Sequence, residues 1–302
     1  MIEHPYQNLA GARWLRGNLH THTNHSDGAR PPQEVIDDYA SRGYEFLMLS
    51  DHDRFTSAQD YAGLENRGLI LIPGNEITAN GPHLLHVHAG SLVPPDADRQ
   101  KVIDQARESG GFIVVNHPNW QERFDHCSID LLQQWQGFAG LEIYNGTIGR
   151  LHGSPYATNK WDMLLAEGRT VWGFANDDSH TAAEDVGLGW NVASVSDPTP
   201  EGVVAALAAG NFYGSTGVDI RDIHVEGNRI RIETSNARRI VALKNTGRRF
   251  AVADATGIEV EYPADATYVR FECWGDGEQF AWTQPFRNGA RGAPAFHTGS
   301  VS

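Results

Sequence analysis

Apolar runs and helix-patterned segments take turns along the first two-thirds of this 302-residue chain. Trp14-Leu15-Arg16-Gly17-Asn18 leads into a first strand. Pro31-Pro32 opens a helix, Glu34-Val35-Ile36-Asp37-Asp38-Tyr39-Ala40 continues it, and Gly43 ends it. Proline suits the first helical turn and glycine the position after the last. Phe46-Leu47-Met48-Leu49 follows as an unbroken apolar run, the pattern of a strand covered on both faces. The unit then recurs. A helical stretch around 58–66 leads to Leu69-Ile70-Leu71-Ile72, and 98–109 leads through Gly110-Gly111 to Phe112-Ile113-Val114-Val115. Next, 129–135 leads to Gly140-Leu141-Glu142-Ile143-Tyr144, and 160–167 leads to Val171-Trp172-Gly173-Phe174. A last helix over 200–209 closes the series near Gly217. This alternation predicts a parallel α/β architecture, closed or nearly closed as a barrel.

Beyond Gly217 the texture changes. Ile230-Arg231-Ile232-Glu233-Thr234, Ile240-Val241-Ala242-Leu243 and Tyr268-Val269-Arg270-Phe271-Glu272-Cys273-Trp274 are short, partly alternating, and separated by Gly, Asn and Asp. No helical pattern intervenes, so 218–302 reads as a small antiparallel, β-sandwich-like accessory domain after a first domain over 1–217. Hydrophobic residues at 40% and charged residues at 21% suit a chain with a real core. The net charge of −14 lies wholly in the first domain: 1–217 carry 13 Lys+Arg against 27 Asp+Glu, and 218–302 carry 11 of each. Such a body repels long nucleic acid and suits the holding of cations. Cys127 and Cys273 are the two cysteines, which gives no disulfide framework and no cysteine zinc site. The start, Met1-Ile2-Glu3-His4-Pro5-Tyr6, lacks the features of a signal peptide, and no apolar run approaches a membrane span. A cytoplasmic location is therefore expected, with no membrane partner.

Candidate chemistry collects where the strands end. Leu19-His20-Thr21-His22-Thr23-Asn24-His25-Ser26-Asp27-Gly28 follows the first strand. In extended chain, residues two apart share a face, so His20 and His22 project together as two imidazoles must to share a metal ion. Ser50-Asp51-His52-Asp53 follows the second run, and Pro73-Gly74-Asn75-Glu76 the third, with His83, His86 and His88 soon after. Asn116-His117-Pro118 and Asn176-Asp177-Asp178-Ser179-His180 follow later runs. The carboxyl ends of strands are where α/β barrels build active sites. One Asp-His pair after a strand is an ordinary turn or cap; five strand ends carrying ligand-type residues point to a metal site.

These motifs, His20-Thr21-His22 with Ser26-Asp27-Gly28, Ser50-Asp51-His52, Glu76, Asn116-His117-Pro118 and Asp178-Ser179-His180, resemble those of the PHP (polymerase and histidinol phosphatase) superfamily. The chain is similar in particular to its two-domain phosphoesterases, related to the carbaryl-hydrolase-like branch, and the match covers residues 13–217. The resemblance implies a distorted (β/α)7 barrel with up to three divalent metal ions, manganese, zinc or iron, at its mouth. It implies that His20, His22, Glu76 and Asp178 hold one ion. Glu76, as a bridging carboxylate, holds a second with His117 and one histidine of the 83–88 cluster. His83 before Leu84-Leu85 fits that place best, and His86 is its rival. His52, His180 and Asp27 hold the third, with His25 as the alternative to Asp27 and Asn24 and His25 otherwise lining the pocket.

The implied activity is hydrolysis of a small phosphomonoester or phosphodiester by a metal-bridging hydroxide, with Asp178 and His180 central to catalysis. Arg54 and Arg150, on loops at the same mouth, are candidates to grip phosphate, and His152 or Asp53 to protonate the leaving group. Hydrolysis of a carboxylic or carbamate ester on the same metals is the alternative, and a noncatalytic metal-binding module is a third reading. Cys127 has no activating context. Trp274, Trp282 and Phe286 near the end of the chain suit either packing against the barrel or a carbohydrate-type surface.

Overall fold

A computed structural model describes residues 1–7, 12–181 and 184–289 of the chain. The chain enters with β1 (Ile2–Glu3), then runs through β2 (Arg13–Asn18), α1 (Pro32–Ser41), β3 (Phe46–Leu47), the one-turn helix α2 (Ala58–Tyr61) and β4 (Ile70–Leu71). Strands β2, β3 and β4 pair in parallel. A second run comprises β5 (Gly74–Ile77), β6 (Leu84–Val87), α3 (Arg99–Ser109), β7 (Phe112–Val115), α4 (Ile129–Gln134), β8 (Gly140–Asn145), α5 (Thr158–Ala166) and β9 (Trp172–Asn176). Its strands form a five-stranded sheet in sequence order. Then β10 (Trp190–Val195), α6 (Pro200–Ala208) and β11 (Phe212–Ser215) follow, with β10 antiparallel to both β2 and β11.

The architecture is mixed α/β, without the closure or the wholly parallel order of a regular barrel among the described residues. No sheet is closed among the described residues: the strands divide between a five-stranded and a nine-stranded sheet. The order is also not wholly parallel, because β6 runs antiparallel to both β5 and β7. The six residues between β5 and β6 are too few for a helical crossover, so the two form a hairpin. The apolar runs are buried on both faces, as their composition requires. In β7, Ile113 and Val115 join one core cluster while Phe112 and Val114 join another. Phe46 and Met48 likewise part from Leu47 and Leu49. The cluster holding Phe46, Met48, Leu85, Val114 and Phe174 draws on both sheets and packs their facing sides together.

The remaining strands are β12 (Ile220–Glu226), β13 (Arg229–Thr234), β14 (Arg239–Lys244), β15 (Arg248–Ala253), β16 (Gly257–Glu261), β17 (Val269–Trp274), β18 (Phe280–Thr283) and β19 (Arg287–Asn288). They pair antiparallel throughout. Strands β12, β13 and β16 form a separate sheet whose Ile230, Ile232, Ile258 and Val260 pack with Ile240, Ala242 and Phe271. The large sheet runs without a break across residue 217, since β18 pairs with both β11 and β17. Trp282 and Phe286 are buried, and Trp282 stacks near Tyr144 at 5.9 Å, so both serve packing.

A buried ion pair crosses between the two parts. Arg270 of β17 donates from Nε and Nη2 to both carboxylate oxygens of Asp162 of α5, at 2.7 Å each, and Tyr268 donates to the same carboxylate at 2.6 Å. Removing one partner leaves the other charge buried without compensation. Asp162→Ala should therefore cost about 3–5 kcal/mol in urea denaturation, and pairing it with Arg270→Met should recover a large share. Equal stability of Asp162→Ala and the parent would contradict the anchor.

Candidate metal centre

The ends of β2, β3, β5, β7 and β9 converge. Backbone hydrogen bonds bring them together: His22 N–H donates to Ser179 O at 2.8 Å, Asp178 N–H to His20 O at 2.9 Å, and Asp53 N–H to Glu76 O at 2.7 Å. His117 and Asp178 adopt φ of +24° and +57°, and Asp53 +49°. Such values are uncommon outside glycine and gather where a site dictates the backbone. Gly28 is required for a different reason: a Cβ there would lie 2.6 Å from the backbone of His22. The turn that carries Asp27 thus closes tightly on the first histidine pair.

Glu76 is the hub. Its fully buried carboxylate lies 3.3 Å from His20 Nε2, 3.6 Å from His22 Nε2, 2.7 Å from His52 Nδ1, 3.2 Å from His83 Nδ1 and 3.4 Å from His117 Nε2. Asp178 Oδ1 lies 3.1 Å from both His20 Nε2 and His22 Nε2. Asp27, with a half-exposed side chain, reaches His52 Nε2 at 3.3 Å and His180 Nε2 at 3.4 Å. The structure thus brings together all nine residues named as candidate ligands. Among them, groups such as His20, His22 and Glu76, or His22, Asp27, His52 and His180, offer atoms close enough to share an ion. His20 Nε2 and His83 Nδ1 are buried yet make no hydrogen bond, and His52 Nδ1 and Glu76 Oε2, 2.7 Å apart, are not aligned for one. Polar atoms are seldom left so, and lone pairs aimed at one another suit a cation between them.

The alternatives separate cleanly. His86 lies on the opposite face of β6 from His83, with Leu84, and its Nε2 donates to Gly110 O at 2.8 Å. His25 is exposed and its backbone, not its ring, is bonded to Thr23. Asp53 caps the end of β5 by accepting from Thr78 N, Thr78 Oγ1 and Ala79 N. Three further candidates do not reach the cleft. Arg54 is exposed, His152 is exposed, and neither lines it. Arg150 turns to Asp185 and Glu184. Asp185 in turn accepts from the backbone N–H groups of His180 and Thr181, so Arg150 braces the loop behind His180.

Four supporting residues are less legible in the sequence. Glu142 is a buried carboxylate within β8; it accepts from His20 Nδ1–H at 2.7 Å, His117 N–H at 2.8 Å, Asn145 at 3.0 Å and Asn176 at 2.8 Å. This fixes the His20 tautomer that leaves Nε2 free, the usual role of an outer-shell carboxylate. Its signal is a lone charge inside an apolar run. Asn116 donates to Glu76 at 2.6 Å. His126 accepts the His83 N–H through Nε2 at 3.0 Å and is packed among His83, His117 and Trp120. Lys160, buried, donates to the carbonyls of Pro118, Phe124 and Cys127 and so pins the loop that carries His117 and Trp120. No spacing rule marks the last two.

The carboxylates dominate the electrostatics. Burial works against a charged His52, but Asp27 and Glu76 beside it outweigh burial and lift it to about 10. Burial likewise opposes charge on His20 and His180, and Asp178 with Glu142 and Glu76, or Asp27 with Asp178, raise both. Hydrogen bonds from His180 and His52 hold Asp27 well below the usual carboxylate range. His126, by contrast, is pushed down to about 2 by burial and by its neighbouring imidazoles. Above the cluster opens a cleft of about 280 Å³, lined on the far side by Trp120, Thr147, Ile148 and Leu151.

No family model matches the chain. A 3',5'-nucleoside bisphosphate phosphatase of Chromobacterium violaceum is 32% identical over 103 residues, covering 31% of this chain and 36% of that protein. An uncharacterized protein of Methanocaldococcus jannaschii is 22% identical over 104 residues, covering 34% of this chain and 40% of that protein. The chain thus spans well under half the length of the curated relatives it matches. Among solved structures, a two-domain protein of Bacteroides vulgatus described as containing a "predicted PHP-like metal-dependent phosphoesterase" aligns with a TM-score of 0.56 and 17% identity. That alignment covers 89% of this chain and 92% of that one. Sequence similarity to these relatives covers about a third of the chain, and the fold is similar to that of the two-domain protein over nearly all of it.

Two measurements follow from the geometry. Glu142→Gln should weaken divalent-metal binding about 10–100-fold in competition titrations; unchanged affinity would show that the His20 tautomer is set elsewhere. The second concerns pH. A histidine whose folded pKa is raised stabilises the fold fully below its unfolded pKa near 6.5 and loses that contribution as pH rises through the folded value. With His52 raised to about 10, chelator-stripped protein should lose melting temperature between about pH 6.5 and 10. Added manganese or zinc should flatten that slope, because metal replaces the protons. Identical slopes with and without metal would contradict this.

Proposed function

We propose that this chain, PHP-like in fold, is a metal-dependent hydrolase of small phosphate esters. The observation that carries the reading is the convergence of six histidines and three carboxylates, several with buried atoms that have no hydrogen-bond partner. The two sheets are read as a distorted seven-stranded barrel. Bridges at Thr21–Ser179 and His52–Glu76 support this by joining the ends of β2 to β9 and β3 to β5.

His20, His22, Glu76 and Asp178 would hold one divalent ion, Glu76 with His83 and His117 a second, and Asp27 with His52 and His180 a third. Manganese, zinc and iron all suit imidazole and carboxylate ligands. When bound, such ions lower the pKa of water and offset the charge that grows on a phosphoryl group. The chain's own residues order the site. Glu142 orients His20, Asn116 holds one oxygen of Glu76, and Asn145 donates to Asp178 at 3.2 Å. His180 Nδ1–H donates to the carbonyl of Asp178 at 2.8 Å, which leaves Nε2 facing Asp27. Trp120 and Ile148 form part of the far wall of the cleft.

One observation favours a second reading, hydrolysis of a carboxylic or carbamate ester. No arginine or lysine lines the cleft among the described residues, so nothing but the metals would meet an anion. A screen of aryl phosphate mono- and diesters against aryl carboxylate and carbamate esters, with added manganese or zinc, separates the two. Turnover of phosphate esters is expected, and Asp178→Ala and His180→Ala should each reduce it by more than the roughly 10–100-fold typical of outer-shell partners. Turnover of the carboxylate or carbamate set alone would move the assignment to the second reading. Full activity in a metal-depleted Asp178→Ala variant would overturn the metal mechanism.

A further inference from the structure

Trp120 has three imidazoles around it. Its ring lies 5.7 Å from that of His83, 5.2 Å from that of His117 and 4.8 Å from that of His126. The imidazoles also meet one another, at 5.0 Å for His83 with His117, 4.6 Å for His83 with His126 and 4.9 Å for His117 with His126. Each offers a ring nitrogen within 4.8 Å of the other two. Three nitrogens on one tetrahedral zinc ion stand about 3.3 Å apart, so modest ring rotations close the gap. The backbone is already set. His117, Trp120 and His126 belong to one loop, in which Trp120 N–H donates to His117 O at 3.0 Å and His126 N–H to Trp120 O at 3.1 Å. Buried Lys160 holds three further carbonyls of the same loop.

His126 stands outside the cluster gathered by Glu76, Asp178 and Asp27. Its ring nitrogens meet the His83 N–H at 3.0 Å and the Gln121 side-chain amide at 3.4 Å, and no carboxylate pairs with it among the described residues. His117 turns Nε2 to Glu76 and leaves Nδ1 buried with no hydrogen-bond partner. Away from Glu76 this corner is therefore all nitrogen, where the rest of the cluster mixes imidazole with carboxylate. Imidazole alone suits zinc, while manganese prefers oxygen ligands. His83, His117 and Trp120 line the cleft, so an ion has a path to the corner. A neutral imidazole has one nitrogen free to accept. His83 and His117 can thus serve an ion beside Glu76 or an ion beside His126, but not both.

We propose that His83, His117 and His126 form an accessory zinc site, and that zinc held there takes both histidines from the ion they would share with Glu76. Ligation through His126 Nε2 gives up its bond to the His83 N–H, and ligation through Nδ1 displaces only the Gln121 amide. Excess zinc, but not excess manganese, then empties the second ion position. The site concerns binding and needs no turnover.

The test titrates the full chain, stripped of metal, with zinc and with manganese against a competing chelator, as parent and as His126→Gln. Glutamine keeps an oxygen to accept the His83 N–H and removes the imidazole. One class of zinc ions should weaken by about tenfold or more in His126→Gln, while manganese affinities change by less than about threefold. Equal weakening of both metals would mean that His126 only positions His83; that result, or unchanged zinc binding, overturns the proposal. Anomalous diffraction from the parent at the zinc edge gives a check that depends on no variant. A peak among the three rings, with Glu76 outside its ligands, is expected, and zinc held by Glu76, His83 and His117 without His126 overturns the site. Zinc bound through His126 in a chain that turns over no ester supports this proposal while sinking the hydrolase reading. Ester turnover with zinc binding indifferent to His126 does the reverse.

Discussion

A fully buried carboxylate with five imidazoles facing it is the constraint on which this structure turns. Glu76 is fully buried, and isolated charge in such a place is costly unless it is matched. Asp178 and Glu142 add to the same buried negative field. The protein can meet that field with protons on histidine or with divalent cations. The raised His20, His52 and His180 describe the first state, and the unbonded nitrogen and oxygen atoms that aim at one another describe readiness for the second.

Holding these groups together takes more polar structure than the cluster itself contains. Asp51 accepts from Thr23 N, Thr23 Oγ1 and Ser26 Oγ and so shapes the loop between His22 and Asp27. Asp177 points away from the cluster and ties Gly187, Leu188, Gly189 and Tyr39 to the strand end that carries Asp178. Arg150, Lys160 and Asp53 do the same for their loops. Charged residues next to the candidate ligands in sequence are therefore mostly braces. Precise placement of a metal site depends on such support.

The same distinction explains what could be seen in the sequence. Helices and buried strands were legible because proline, glycine and continuous apolar runs act locally. The convergence of His20, His22, Asp178 and His180 was legible because side chains two apart on extended chain share a face. Period two also separates His83 from His86, once β6 is known to begin at Leu84. What escaped depends on long-range geometry. Nothing local shows that β6 reverses direction, that Arg150 is taken by Asp185 rather than by substrate, or that Glu142 sits behind a histidine 122 residues away. A charge buried in an apolar strand was the one available hint for Glu142.

The buried charge of Glu76 is proposed to gather divalent ions. Anomalous diffraction from crystals of the full chain grown with manganese tests it most directly. Peaks are expected among His20, His22, Glu76 and Asp178 and beside His83 and His117, and they should be lost in Glu76→Gln. An empty cluster, or peaks unchanged in Glu76→Gln, would contradict it.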